Sequence, residues 1–407
     1  LESTFAKAPN APRVTYGLNQ RSETRAGGTN YVIAEPTVFE TGDNYYTIVW
    51  ATSEKHVGGA YVEYTYKGQL YQVYDESGGF VRTTDTVHSV QGPKVHLNNN
   101  TYRAVSFHMR SQSGYTFARG SVAVSKDYLF ENKSTDADLT ILNCPEIMST
   151  SDGALDKLSA AVAALGSSPA LVVVNGDSVD QIADMAGIYD VLKATHAASG
   201  GTHPVVFTRG TSELTGNLSS RLGFYMQNST GEFFYKFSTP HYDFIVLDDA
   251  ALCKNCSVSR DTVLVDLIRE RQLSWLEGIT LSDSKKTVVI SHCTALDGEF
   301  ASILKQKGAP MIISACGGDF AVNADSGMMN VLSGGFKDGV STVSAITLSG
   351  DTVAVKAANS EGAVIYSESL SIADLPKDNA SVTDTTVLID TTDATDGGCG
   401  SAMAIAI

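Results

Sequence analysis

The stretch Val-Val-Val-Asn-Gly-Asp at residues 172–177 is the clearest structural signal in the chain. A short run of β-branched residues that stops at a Gly-Asp turn is typical of a buried strand in a parallel sheet. A second apolar run at 139–143 is followed by helical periodicity at 154–165, and another amphipathic helix is predicted at 181–197. Strands that alternate with helices predict an α/β layered domain, here residues 137–372.

The chain before this domain has a different rhythm. Residues 31–130 contain short, alternating apolar runs separated by glycine turns, without a convincing helical pattern. This spacing predicts a small β-sandwich with Trp50 in its core. Residues 1–30 are predicted to be an N-terminal extension, and residues 373–407 a Thr/Asp-rich linker with a C-terminal β-strand tail.

The composition excludes several classes of function. Of the 407 residues, 43% are hydrophobic, which is enough for a sizeable core and argues against disorder. There are 29 Lys and Arg residues against 45 Asp and Glu, so the formal charge of −16 makes nucleic acid and anionic membranes poor partners. No uninterrupted apolar run reaches the length that spans a bilayer.

Three features indicate a secreted glycoprotein in an extracellular or cell-surface location. The first residue is Leu1 rather than Met, which suits a mature secreted chain or a trimmed one. The six cysteines form an even set, as in disulfide-bonded secreted proteins. Glycosylation is predicted at the Asn-x-Ser/Thr sequons of Asn99, Asn132, Asn217, Asn228, Asn255 and Asn379.

Several framework segments follow one another in a specific order. They are Thr-Ile-Val-Trp-Ala-Thr-Ser at 47–53, the Gly-Asp strand, Phe-Phe-Tyr-Lys-Phe at 233–237, Gln-Leu-Ser-Trp-Leu at 272–276 and Val-Ile-Ser-His at 289–292. In order and spacing they resemble the purple acid phosphatase branch of the calcineurin-like metallophosphoesterase family, over nearly the whole chain. The resemblance implies a fibronectin-III-like β-sandwich followed by an αββα-layered metallophosphoesterase-like domain.

The chemistry of that family uses two metal ions about 3.5–4 Å apart, which activate a hydroxide against a phosphate ester. Their ligands come from loops at the carboxyl ends of the strands. The resemblance implies five such motifs in this chain, and two of them keep a ligand. Asp177 stands where the family has its bridging carboxylate, and His292 ends the fourth motif.

The other three motifs lack the ligands that the resemblance implies. The first strand ends in Asn-Cys-Pro-Glu at 143–146, without an aspartate, although Glu146 is close. The third reads Gly-Thr-Ser-Glu at 210–213, so hydroxyls replace an asparagine and a histidine. The fifth, at 315–318, has lost both histidines, and Asp180 stands near the place of the family's metal-binding tyrosine.

These changes predict a catalytically degenerate pseudo-phosphatase that is retained for structure or interaction and holds no cofactor. Two side chains cannot hold two divalent metals at neutral pH. Asp177 and His292 are therefore vestigial, and each has a structural explanation, as a turn or helix cap and as a hydrogen-bonded histidine. Glu213 is a third vestigial candidate, although Glu213 and Asp180 are best explained as solvated loop acids.

Two other functions stay open. One is a divergent phosphoesterase of the acid phosphatase type with a rebuilt site of Asp177, His292, Glu146 and Cys316, which would hold iron, zinc or manganese. The other is a binding module that keeps a phosphate-shaped cleft for a ligand or glycan. A Ser-His-Asp hydrolase is not supported, because the chain has no Gly-x-Ser-x-Gly elbow.

The cysteines allow more than one arrangement. Three stand at the expected metal loops, where they predict either a tetrahedral zinc site with His292 or a disulfide between two of the three. A local disulfide is predicted for the C-x-x-C pair, and the last cysteine is a candidate for cross-linking chains. In chain order the six are Cys144, Cys253, Cys256, Cys293, Cys316 and Cys399.

The last seven residues, 401–407, alternate large and small apolar side chains. Met403, Ile405 and Ile407 would lie on one face of a strand and alanines on the other. This strand could complete its own domain, begin a glycolipid-anchor signal that is too short here, or pair with a neighbouring chain as a donor strand. The third possibility predicts self-association into an extracellular filament or coat.

Overall fold

A computed structural model of the chain describes residues 31–373, except 43, 54–57, 78, 112–116, 227, 229, 253–262, 294–297, 317–318, 326–327 and 336–340. The predicted N-terminal extension lies outside the described residues. The C-terminal linker and strand, with Met403, Ile405 and Ile407, lie outside them as well. So do three of the predicted disulfide candidates and two of the sequons, namely Cys253, Cys256, Cys399, Asn255 and Asn379.

The first part of the described chain is almost entirely β-structure. Its strands and its single helical turn are β1 (Val32–Glu40), β2 (Tyr45–Thr52), β3 (Gly58–Tyr66), β4 (Gln69–Tyr74), β5 (Glu76–Ser77), β6 (Phe80–Val81), β7 (Val87–Pro93), α1 (Lys94–Leu97), β8 (Thr101–Ser111), β9 (Phe117–Val124) and β10 (Tyr128–Leu129). Trp50 is fully buried, as predicted, and its Nε1 donates to Ser106 Oγ at 2.8 Å.

The second part alternates strands and helices, as the periodicity predicts. Its elements are β11 (Leu139–Pro145), α2 (Ala154–Leu165), β12 (Leu171–Asn175), α3 (Met185–Ser199), β13 (Val205–Thr208), α4 (Leu222–Tyr225), β14 (Tyr235–Ser238), β15 (Tyr242–Val246), α5 (Val265–Gly278), β16 (Lys286–Ile290), α6 (Gly298–Gln306), β17 (Met311–Ser314), β18 (Ala321–Asp325), β19 (Met328–Leu332), β20 (Thr342–Ser349), β21 (Thr352–Asn359) and β22 (Val364–Ser371). No helix of the described residues is long and apolar enough to cross a membrane.

A nine-stranded sheet joins the two parts of the chain. Its strand order is β22-β21-β20-β11-β12-β13-β1-β2-β7, and β1 pairs in parallel with β13 at Phe39 and Val205. A second sheet, β10-β8-β3-β4 with β9 on β8, faces β1, β2 and β7 across a buried aromatic and aliphatic cluster. The N-terminal strands therefore extend the α/β sheet, and a separate fibronectin-III-like sandwich is not confirmed. The predicted boundary between the two domains stays a prediction.

The α/β part has four layers. A third sheet, β14-β15-β16-β17-β19-β18, packs its apolar side chains against those of the nine-stranded sheet. The alternation of side chains along β12 explains the layering, because Val173 faces this interior while Val172 and Val174 face helices α2 and α3. On the far side of the third sheet, Val289 packs against residues of α5 and α6, such as Leu276. The result is a mixed, sheet-rich α/β fold.

Helix α3 begins four residues later than the periodicity predicts. Asp184 caps it, because its Oδ1 accepts hydrogen bonds from the backbone N–H of Ala186 at 2.9 Å and of Gly187. The preceding Ile182 instead donates its backbone N–H to Thr215 O at 2.8 Å, which ties this segment to the loop after β13. A tertiary hydrogen bond thus outweighs the local helical pattern.

Candidate functional site

The two residues predicted to survive from a metal centre lie together. Asp177 follows β12 in the nine-stranded sheet, and His292 follows β16 in the third sheet. His292 Nε2 is 3.8 Å from Asp177 Oδ2, and both side chains are buried. The carboxyl ends of parallel strands from both sheets therefore converge on one place, as in other open α/β folds.

His292 is fixed on two sides. Its Nδ1 donates to the backbone carbonyl of Asn175 at 2.9 Å, and its own backbone N–H donates to Asp249 Oδ1 at 3.1 Å. Among the described residues, Nε2 has no hydrogen-bond partner. Burial alone would lower the pKa of His292, but the charges of Asp177, Glu146 and Asp249 outweigh burial and raise the pKa above its usual value.

The turn that carries Asp177 leaves almost no space around His292. Gly176 has φ +71°, and a Cβ at this position would lie 2.2 Å from His292 Nδ1. Asp177 itself has φ +50°, which is uncommon for a residue with a side chain. Its Oδ1 accepts the backbone N–H of Ser212 at 2.8 Å, and the Thr211 hydroxyl lies 3.4 Å from each of its carboxylate oxygens. Asp177 is thus already engaged by the loop after β13.

Glu213 is buried, so its interpretation as a solvated loop acid is wrong. Its Oε2 accepts the backbone N–H groups of Asp177 at 2.8 Å and Gly210 at 2.7 Å. Its Oε1 accepts the backbone N–H of Ser178 at 2.7 Å and the Ser178 hydroxyl at 2.6 Å. Burial, and then the charge of Asp177, raise the pKa of this carboxyl. Asp180, in contrast, is exposed and accepts a bond from Thr150 at 2.8 Å, as expected for a loop acid.

Asp249 is a buried acid at the site that the sequence reasoning missed. Its carboxylate accepts hydrogen bonds from Ser291 Oγ and from the backbone N–H groups of His292 at 3.1 Å and Cys293 at 3.3 Å. Burial raises its pKa to about 6. The signal was present in the sequence, because two aspartates follow the apolar run of β15, where a strand end meets the site. The first of them, Asp248, instead pairs with Arg209.

A series of side-chain hydrogen bonds, here called the relay, runs through the amides of Asn175 and Asn143 near the end of β11. The resemblance described above predicts a metal-binding aspartate at this strand end. The Thr208 hydroxyl donates to Asn175 Oδ1 at 2.7 Å, and the Asn175 amide donates to Asn143 Oδ1 at 3.2 Å. The Asn143 amide donates in turn to the Ser314 carbonyl at 3.2 Å. The relay connects β13, β12 and β11 of one sheet with β17 of the other. Asn143 therefore acts as a structural connector between the sheets.

The cysteines do not form the predicted arrangement. Cys144 and Cys293 carry buried, reduced thiols, so a disulfide among the three site cysteines is wrong. Cys316 is disulfide-bonded, and its partner is neither of these two. The thiol of Cys293 donates to the backbone carbonyl of Asp249 at 3.4 Å, and burial raises the pKa of the Cys144 thiol far above its usual value. A disulfide-bonded Cys316 offers no thiolate, so the predicted Cys₃His zinc site is not supported.

The donor set does not fit a centre of two metal ions. In the described residues, one cluster brings ligand atoms together, those of Glu146, His292 and Cys316, all within 4.8 Å of one another. Only two of these three groups could bind an ion, because the Cys316 sulfur is part of a disulfide bond. Glu146 and His292 could at most contribute to holding one cation. Seven or so donors would be needed for two ions, and the other acids accept hydrogen bonds from the protein itself.

The described sequons differ in exposure. Asn99 and Asn217 are exposed, whereas Asn132 and Asn228 are half-buried. Asn99 has φ +60°, and its Oδ1 accepts the backbone N–H of Asn132 at 3.2 Å, so two predicted glycosylation sites are neighbours in space. Glycosylation at these positions remains a prediction.

No protein-family model matches the sequence, and a comparison with curated proteins found no relative. Among solved structures, the chain is similar to one titled "Structure of PhoD", with 10% identity, a TM-score of 0.49 and coverage of 84% of this chain and 89% of that one. It is also similar to "GAP50 the anchor in the inner membrane complex of Plasmodium", with 17% identity, a TM-score of 0.42 and coverage of 59% and 90%. A third is a predicted phosphoesterase from Streptococcus pneumoniae, with 9% identity, a TM-score of 0.32 and coverage of 57% and 98%.

The predicted resemblance to metallophosphoesterases agrees with these matches, one of which is itself a predicted phosphoesterase. At these identities the likeness concerns the fold alone. Metal content, substrate and partners have to be argued from the residues of this chain.

Proposed function

We propose that this chain is a secreted glycoprotein that keeps a metallophosphoesterase-like fold without its catalysis and serves as a structural or interaction scaffold. One observation carries the proposal. The imidazole of His292 stands 3.8 Å from Asp177 Oδ2, with Nε2 unpartnered among the described residues, and the groups around it are bonded to the protein. Burial lowers the pKa of His292, but the negative charge of Asp177 raises it, so the two side chains stabilise each other.

The chemistry of phosphate-ester hydrolysis supports this proposal. Two-metal hydrolysis needs open coordination positions for a hydroxide and for the phosphate. Here Glu213 accepts four hydrogen bonds, and Asp249 accepts three. Releasing either carboxylate toward a metal would leave several buried N–H groups without an acceptor, at a cost of about 1–3 kcal/mol each.

Elemental analysis of unchelated protein tests the proposal, together with an assay against p-nitrophenyl phosphate. We expect no stoichiometric metal, no turnover, and the same melting temperature before and after treatment with a chelator. About two ions of iron, zinc or manganese per chain, with turnover lost on chelation, would contradict the proposal and support a metal-dependent phosphoesterase.

A second candidate is a divergent phosphoesterase with a one-metal site. The proximity of ligand atoms from Glu146, His292 and Cys316 favours it, on condition that the disulfide of Cys316 is first reduced. Zinc titration before and after mild reduction separates the two candidates. Binding of one zinc ion only after reduction, abolished by Glu146→Gln, would support the second candidate, and no binding in either state supports the scaffold.

The scaffold is proposed to assemble through its C-terminal strand. The alternating apolar pattern of residues 401–407 and the polar linker before them support pairing with a second copy. Light scattering of the full chain and of a chain lacking residues 376–407 tests this part of the proposal. Multimers that persist in the shortened chain would exclude the strand as the assembly device.

A further inference from the structure

The nine-stranded sheet ends on one side at β22, and no strand of the described residues pairs with the outer edge of β22. This strand, Val364–Ser371, contains one charged residue, Glu368, and no proline. After an irregularity between Ala357 and Ala358 of β21, its register with β21 is regular. An edge strand points the N–H and C=O groups of every second residue outward, where another strand can pair with them. We call this feature the β22 edge.

The opposite edge of the same sheet is protected. There the backbone N–H of Ser89 in β7 donates to Asp75 Oδ2 at 3.4 Å, and Arg82 donates to the Ser89 carbonyl, also at 3.4 Å. Strand β7 also contains Pro93, which has no backbone N–H. Proteins commonly protect edge strands in such ways, because an open edge can pair with another chain. In the part of the chain that the structure describes, β22 has neither kind of protection.

The two faces of β22 differ in the size of their side chains. Tyr366 and Leu370 lie opposite residues of β21 that are buried between the nine-stranded sheet and the third sheet. The ring centroid of Tyr366 is 5.1 Å from that of Phe320, and its hydroxyl donates to the exposed Glu368 on the same face. The opposite face of the strand carries three serines, namely Ser367, Ser369 and Ser371. One face is therefore large and partly apolar, and the other is small.

The last seven residues of the chain, 401–407, show the same alternation. Met403, Ile405 and Ile407 alternate with three alanines. If this segment lies beside β22 with its large side chains on the face of Tyr366 and Leu370, its alanines lie beside the serines. Side chains on the same face of paired strands contact one another, so this arrangement joins large with large and small with small. The lengths also agree, because β22 has eight residues.

Other edges fit the segment less well. Strand β4, at the edge of the second sheet, carries large side chains on both faces, since Leu70, Tyr71, Gln72 and Val73 follow one another. The edge strands of the third sheet are short, with four residues in β14 and five in β18. Of these edges, β22 is the one that matches residues 401–407 in both length and side-chain size.

The length of chain between β22 and residues 401–407 favours a second copy as the source of the strand. Residues 372–400 separate the two, whereas the loop of a β-hairpin has only about two to five residues. A fully extended segment of this length reaches on the order of 90 Å. It is therefore long enough to span the distance to a neighbouring molecule, and far longer than a return to β22 of the same chain requires.

We propose that residues 401–407 of one copy pair with the β22 edge of a second copy, with Met403, Ile405 and Ile407 on the face of Tyr366 and Leu370. Backbone hydrogen bonds supply the affinity of such a strand addition, and the alternating side chains fix its register. Because each chain contributes one tail and one β22 edge, repeated pairing gives a head-to-tail filament. The inference rests on the proposed assembly through the C-terminal strand and identifies the surface that receives this strand.

Hydrogen exchange of the full chain tests the location of the acceptor, measured at concentrations where the chain is monomeric and where it is multimeric. We expect the amides of β22 to exchange about tenfold or more slowly in the multimer, and those of β4 to exchange equally in both states. Protection of β22 in the monomer as well would show that the strand binds its own chain and would overturn the second copy as its source. Protection of another edge in the multimer would overturn β22 as the acceptor.

A substitution on the β22 edge tests the site independently. Ser369 is exposed, so Ser369→Lys should leave the melting temperature unchanged. It should abolish multimers in light scattering, because it adds bulk and charge to an edge strand beside the alanines. Leu70→Lys places the same charge on β4 and is the matched control, which should still form multimers. Multimers that persist in Ser369→Lys overturn the inference but leave assembly through the C-terminal strand in place. If the unmodified chain forms no multimers, both proposals fail.

Two substitutions in the last seven residues test the orientation of the strand. Ile405→Ser should weaken association about tenfold or more, because it removes an apolar side chain from the face of Tyr366 and Leu370. Ala404→Ser is the matched control, and it should change the affinity by about twofold or less, since it lies beside serines. Equal losses in the two variants would contradict the assigned faces.

Discussion

The side-chain amide of Asn175 donates a hydrogen bond to Oδ1 of Asn143 across 3.2 Å, between the ends of two neighbouring strands. Both side chains are fully buried. Metallophosphoesterases are expected to have a metal-binding aspartate at the end of this first strand, and here the position holds the sheets together. The amides of Asn143 and Asn175 are therefore bound within the protein, to each other and to the Ser314 carbonyl.

Asn143→Asp should not restore a metal site but should destabilise the fold. An aspartate cannot donate to the Ser314 carbonyl, and it would place a buried charge between two amide-linked strands. We expect a loss of about 2–4 kcal/mol in the free energy of unfolding, measured by urea denaturation. Asn330→Asp is the matched control, because Asn330 is half-buried and its Oδ1 only accepts a bond from Ser314 Oγ. Equal losses in the two variants would contradict the relay.

Glu213→Gln should be among the most damaging isosteric changes at the site. A glutamine presents an N–H₂ group to backbone N–H donors that now meet a carboxylate oxygen, so at least one buried donor loses its acceptor. We expect a loss of about 2–4 kcal/mol in the free energy of unfolding. The same change at the exposed Glu361 should cost almost nothing. A neutral result at Glu213 would show that the loop relaxes around the amide.

Gly176→Ala should cost more than its backbone conformation explains. Gly176 and Gly166 both have positive φ, but a Cβ at Gly166 would meet nothing within 4 Å, whereas one at Gly176 would lie 2.2 Å from His292 Nδ1. Gly166→Ala should therefore cost about 1–2 kcal/mol for the left-handed conformation alone. Gly176→Ala should cost about 1–3 kcal/mol more because of the clash. Chemical denaturation of both variants checks the difference, and equal costs would refute the close approach.

The contribution of Asp249 and His292 to the stability of the protein should fall as the pH rises from mildly acidic to neutral values. Asp249 has a folded-state pKa of about 6 against an ordinary value of 3.8, so the folded chain binds more protons between these values and loses stability as Asp249 ionises. The raised pKa of His292 acts in the same direction, and its contribution is lost as the pH rises from its ordinary value of 6.5 through the folded value.

Melting temperatures measured from about pH 4 to pH 8 check this pH dependence. Asp249→Asn should flatten the curve below about pH 6, since the amide does not titrate. The same substitution at the exposed Asp180 should leave the slope unchanged. A variant Asp249→Asn whose curve below about pH 6 keeps the slope of the unmodified protein would contradict the assigned shift of Asp249.

The regular elements could be predicted because their signals are local. The strand at 172–175 and the helix at 154–165 follow from β-branched runs and from 3.6-residue periodicity, and both are present as β12 and α2. The positions of Asp177 and His292 also follow from the sequence, since each ends a recognisable strand motif. Their proximity follows from the general rule that parallel strands bring their carboxyl ends together.

Other features were decided only by the tertiary structure, because they depend on contacts between segments that are distant in sequence. The pairing of Phe39 with Val205 merges the N-terminal strands with the α/β sheet, and strand periodicity cannot specify a partner. The sequence alone predicts that Glu213 is an exposed acid in a loop. In the structure it is buried, and its carboxylate accepts four hydrogen bonds from donors in two separate loops. The sequence by itself thus determined the strands and helices. The packing of the two sheets decided which partners the buried polar groups find, since buried donors and acceptors must be satisfied wherever the fold places them.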